Sequence, residues 1–165
     1  MPIVKSNGIN INYEECGSGE PLLLIMGLSA PGAAWELHVN EYKKHFRCIV
    51  LDNRGAGASD KPPGDYTTEL MASDSVNVMD SLGIDRFHVN GISMGGAIAQ
   101  QIAIANPSRV KSCVMTATWA FEECRRHWGM GRSGLETSFG KCSARRRNAW
   151  IFIMHWNMFR TVVNC

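Results

Sequence analysis

Six residues, Gly91-Ile92-Ser93-Met94-Gly95-Gly96, stand between an apolar strand pattern and a long apolar helix pattern. A serine flanked by glycines at such a junction sits on a tight strand-to-helix turn, its hydroxyl lifted clear of the backbone. The chemistry this permits is acyl transfer: Ser93 Oγ attacks a carbonyl carbon while backbone N–H groups hold the developing oxyanion. Gly91 and Gly95 keep the crowded turn free of side chains, and Gly95, Gly96 and Ala97 let the helix start close to its neighbours. The helix N-terminus adds positive dipole beside the forming negative charge. The N–H of Met94 is one expected oxyanion donor. The second is expected at Leu28, in the loop after the strand ending at Met26.

A serine at its free pKa is a weak nucleophile and needs a base in hydrogen-bond reach. No Asp follows Asp85, and beyond Ser93 the chain offers only His127 and His155 with Glu122, Glu123 and Glu136. Glu123 and His127 are four apart and would share a helix face, which makes them candidate acid and base; a solvated ion pair is the plainer reading of that spacing. His155, among Trp150, Phe152, Trp156 and Phe159, reads as a half-buried side chain. His88 lies on the strand before the turn, and five strand residues, about 16 Å, separate it from Ser93. His38 and His45 read as solvated positions on the first helix. Asp52 and Arg54 are expected to brace the turn after their strand.

The elements that must position these groups follow from apolar patterning. Residues 9–15 and 21–26 read as strands joined by Gly17-Ser18-Gly19, and a helix is expected over 33–45. A strand over 47–51 ends in the glycine-rich turn 52–59. A helix over 68–82 stops at Gly83, a strand over 86–90 leads into Ser93, and a helix over 94–106 ends before Pro107. A strand over 110–116 closes the series. Strands alternating with helices predict an α/β fold, an open and mostly parallel sheet with helices on both faces. Residues 120–165 offer two helical pieces and no persuasive strand.

At 165 residues, 45% hydrophobic and 19% charged, the chain can bury a real core. Residues 1–119 hold nine Lys/Arg against twelve Asp/Glu, whereas 120–165 hold eight against three. Those basic residues are mixed with Trp, Phe, Met and Ile, apart from Arg145-Arg146-Arg147, a pattern unlike a nucleic-acid surface. No secretory leader is visible at the start, and no apolar run reaches the roughly 20 residues of a membrane span. The chain therefore reads as cytoplasmic and soluble, with no nucleic-acid or membrane partner. Its six cysteines show no metal-ligand spacing. Cys48 and Cys113, in strand patterns, read as small buried apolar residues; disulfides are not expected, and Cys165 is a candidate free thiol.

The loop Met26-Gly27-Leu28-Ser29, the turn from Asp52 to Pro62 and the segment 91–96 together resemble the α/β-hydrolase superfamily. Within it they resemble the small-esterase and 3-oxoadipate enol-lactonase branch. The resemblance covers about residues 9–119, so the chain divides into a core over 1–119 and a segment over 120–165 where the family places a helical lid. It implies a carboxylic-ester or lactone substrate, no cofactor or metal, and a Ser–His–acid mechanism on Ser93. Many relatives carry His where Met26 stands, and a serine at 93 differs from the branches that use Asp. The family order puts acid and histidine after later strands, so the chain reads as C-terminally truncated, with only the start of its lid. By the family's strand order the strand over 110–116 would then be an exposed edge and a candidate surface for self-association. The alternatives are a non-catalytic binding module and an inactive fragment.

Overall fold

The computed structural model describes residues 2–118 and the backbone of two further strands, Trp150–Met154 and Arg160–Asn164. Asn7 and Gly8, at φ of 45° and 80°, form the two-residue turn that Asn-Gly favours. It folds β1 (Ile3–Ser6) onto β2 (Ile9–Cys16), with Ser6 opposite Ile9. β1 is an addition to the expected strands.

β3 (Glu20–Ile25), β4 (Phe46–Leu51), β5 (Phe87–Ile92) and β6 (Val110–Thr116) pair in parallel in the order β4-β3-β5-β6. β2 joins β4 antiparallel. A 3-10 turn (Gly32–Trp35) and α1 (Glu36–Tyr42) connect β3 to β4; α2 (Thr68–Ser81) connects β4 to β5; α3 (Met94–Ala105) connects β5 to β6. The single helix expected over 33–45 is thus split at Trp35.

Alternation along the strands builds two cores. Leu23, Ile25, Ile49, Leu51, Val89, Cys113 and Met115 face α2 and α3 on one side; Leu22, Leu24, Cys48 and Val50 face Trp35 and α1 on the other. Strands buried on both faces need continuous apolar runs, which β3 and β4 have. Each such Leu or Ile contributes roughly 1.5–3 kcal/mol on leaving water.

β6 is not an edge. It pairs in parallel with β7 (Trp150–Met154), which pairs antiparallel with β8 (Arg160–Asn164), completing the order β1-β2-β4-β3-β5-β6-β7-β8. This corrects both the absence of strands expected after residue 119 and the exposed edge expected at β6. Trp-Ile-Phe-Ile-Met and Thr-Val-Val are runs of strand-favouring residues, which the aromatic and basic character of the surrounding segment obscures. The expected lid pieces in 119–149 and 155–159 lie outside the described residues.

Candidate active site

Ser93 joins β5 to α3 with φ 55° and ψ −123°, a left-handed conformation that costs a non-glycine residue on the order of 1–3 kcal/mol. The surroundings hold it there. Its N–H donates to Thr116 O at 2.9 Å, and its carbonyl accepts from Gly96 N at 2.9 Å as the helix begins. A Cβ on Gly91 would run into the Gly95 carbonyl, and one on Gly95 into the carbonyls of Ile25 and Met26. Gly96 packs against the Thr118 side chain, with an added Cβ falling 2.7 Å from Thr118 Cβ. The glycines around Ser93 are therefore required by close approach, as the sequence pattern implies.

Gly27, in the loop after β3, lies against Ser93. A Cβ built there would lie 3.2 Å from Ser93 Cβ and 3.6 Å from Ser93 Oγ. This loop runs Met26-Gly27-Leu28-Ser29, with Leu28 74% exposed and Ser29 at φ 60°. Met94 opens α3, where the first backbone N–H groups have no intrahelical acceptor. Leu28 and Met94 thus sit on the two segments that converge on Ser93.

The turn after β4 fastens that loop. Asp52, 6% exposed, accepts from Gly32 N at 2.6 Å, Ala58 N at 2.8 Å and Asn12 Nδ2 at 2.9 Å. Asn53 Nδ2 donates to Met26 O at 2.9 Å, tying the turn to the residue before Gly27. Arg54 pairs with Asp74 through Nε–Oδ2 at 2.6 Å and Nη2–Oδ1 at 3.0 Å, both side chains almost fully buried. Asp52 and Arg54 brace the turn as expected. Sequence spacing gives no sign of the role of Asn53, because its partner Met26 lies 27 residues away in the loop after another strand.

Among the described residues no histidine or carboxylate hydrogen-bonds to Ser93 Oγ. His38, on α1, meets the Trp35 ring edge-on and the Tyr42 ring at a tilt, and His45 is exposed. His88 is engaged elsewhere: Nδ1 meets Ser112 Oγ at 2.7 Å and Nε2 meets Glu20 Oε2 at 2.6 Å. Lys111 also reaches Glu20, at 2.6 Å, because the register shift at Phe87/His88 brings Lys111 and Ser112 to the same neighbours. Hydrogen bonds from His88 and Lys111 lower the Glu20 carboxyl from 4.5 to about 2. His127 and Glu123 lie outside the described residues. Among those described, no cluster of three His, Cys, Asp or Glu could hold a metal ion.

A sequence profile described as alpha/beta hydrolase fold matches residues 20–139, a span that includes the β3 loop, the Asp52 turn and Ser93. The chain belongs to the α/β-hydrolase family. It is 38% identical over 112 residues to BpoC of Mycobacterium tuberculosis, named as a candidate non-heme bromoperoxidase, covering 67% of this chain and 42% of that protein. It is 37% identical over 113 residues to the 2-hydroxymuconate semialdehyde hydrolase of a Pseudomonas strain, covering 66% and 40%. Among solved structures, the enol-lactonase of Burkholderia xenovorans superposes with a TM-score of 0.69 at 30% identity, covering 71% of this chain and 46% of that one. This α/β-hydrolase chain thus spans less than half the length of each of these three relatives. No helix among the described residues is long and apolar enough to cross a membrane.

Proposed function

We infer that Ser93 is the nucleophile of a hydrolase acting on carboxylic esters or lactones through an acyl-enzyme. The observation that carries this reading is the strained backbone of Ser93, held at φ 55° between three required glycines with Gly27 against its side chain. Strain of this kind persists where the surrounding structure over-determines it, and it presents the hydroxyl at the head of a helix. Ser93 Oγ attacks the acyl carbon, the N–H groups of Leu28 and Met94 receive the oxyanion, and water releases the acid. His127 is the candidate base, with Glu123 four residues before it as its partner. The likeness to an enol-lactonase supports a lactone or ester as the substrate class.

The test is turnover of short acyl esters and simple lactones by the full chain. Ser93→Ala is expected to cut the rate by several orders of magnitude, to the residual level left by binding and the oxyanion donors, and His127→Ala to reduce it about as far, because members of one catalytic unit are not additive. Equal rates for the full chain and Ser93→Ala would overturn the reading. A second reading, a binding module that keeps the fold without turnover, draws on His88, which is tied to Ser112 and Glu20 rather than to Ser93. Saturable binding of an ester without hydrolysis would favour it.

A further inference from the structure

Cys16 ends β2 and faces Cys48 of β4 directly across the antiparallel ladder, the last of the four pairs from Tyr13↔Leu51 to Cys16↔Cys48. Directly opposed residues point to the same side of a sheet, and both cysteines belong to the cluster beneath α1 with Leu22, Leu24, Trp35 and Val50. Asp52 N donates to Asn12 O at 2.9 Å; counting by twos along the ladder makes Cys16–Cys48 a hydrogen-bonded pair, with Cα atoms about 5.5 Å apart. That separation lies within the range a disulfide spans.

We propose that Cys16 and Cys48 are a reversible thiol–disulfide pair, oxidised by a small disulfide of the glutathione class. The two sulfurs have separate roles. Cys16 is partly exposed and Cys48 fully buried, so an incoming oxidant meets Cys16. Burial, and then the neighbouring Cys16 thiol, push the Cys48 thiol up to about 11; at neutral pH it stays protonated until a partner sulfur is brought against it. The Cys16 thiolate attacks the glutathione disulfide, forming a mixed disulfide and expelling one glutathione thiolate. Cys48 then loses its proton and attacks the Cys16 sulfur, expelling the second. Two protein thiols and one glutathione disulfide become one protein disulfide and two glutathiones, which carry off the two protons. Opposed Cβ atoms at a hydrogen-bonded site stand about 1 Å wider than a relaxed disulfide prefers, which makes the bond easy to reduce again.

The full chain, reduced and then equilibrated in glutathione buffers of rising disulfide fraction, is trapped by alkylation and digested with trypsin. Lys43, Lys44 and Arg47 separate the two cysteines, so the bond appears as peptide Ser6–Lys43 joined to Cys48–Arg54 and disappears on reduction. In Cys48→Ser, Cys16 is expected to accumulate as the glutathione adduct, about tenfold above its level in the unaltered chain. The proposal is overturned if both peptides stay alkylated throughout, if Cys16 is found joined to another cysteine instead, or if its glutathione adduct is as abundant in the unaltered chain as in Cys48→Ser.

Discussion

Ser93 keeps a left-handed backbone because its neighbours leave no other path. The β3 carbonyls of Ile25 and Met26 occupy the space a Gly95 side chain would need. Gly95→Ala is therefore expected to destabilise the chain by about 1–3 kcal/mol, read as a lower urea midpoint. The Arg54–Asp74 pair is more sensitive. Asp74 also accepts from Ser6 Oγ and Asn7 Nδ2, so Asp74→Ala strands a buried guanidinium and frees two further donors. A loss of about 3–5 kcal/mol is expected in the same measurement. Glu20 sets a pH signature. Its folded carboxyl titrates near 2 rather than 4.5, through His88 and Lys111, so its contribution is present above pH 4.5 and is lost as pH falls towards 2. The stability difference between the unaltered chain and Glu20→Gln should shrink as pH falls from 4.5 towards 2. A difference unchanged across that range would show that the carboxylate gains nothing from its two partners.

At the scale of elements, local pattern and local structure agree wherever the apolar period is strong. The helix expected over 68–82 is α2, Thr68–Ser81, with Met71, Ala72, Val78 and Met79 buried against the sheet. Thr67 caps it by accepting from Leu70 N at 3.1 Å; Thr67→Ala should lower stability by about 1 kcal/mol. β1 is not among the expected strands, because a short, partly exposed strand gives a weak apolar signal even with an Asn-Gly turn after it. Long-range pairings were not legible. Nothing in the sequence says that β2 lies beside β4 rather than β3, so neither the Cys16–Cys48 pairing nor the Asn53–Met26 hydrogen bond could be read from spacing. β7 and β8 escape the sequence pattern for a related reason: strands of five residues are recognised by their partners, and each β7 residue finds its partner 38 residues upstream in β6.

For the whole molecule, two layers of helices enclose a mostly parallel sheet, and Ser93 stands where β5 leaves it. The sheet places Ser93 and the segments carrying Leu28 and Met94 through backbone geometry alone. The proposed nucleophile and its proposed oxyanion donors thus rest on local pattern: glycine spacing for Ser93 and Met94, and the end of an apolar strand for Leu28. The base is a different problem. It depends on a side chain arriving from a distant part of the chain, and no local pattern encodes that arrival. The most direct measurement is intact mass after treating the folded full chain with a fluorophosphonate, alongside Ser93→Ala. One adduct is expected on the unaltered chain and none on Ser93→Ala. A folded chain that takes no adduct, or an adduct that persists in Ser93→Ala, would contradict the assignment of Ser93 as an activated nucleophile.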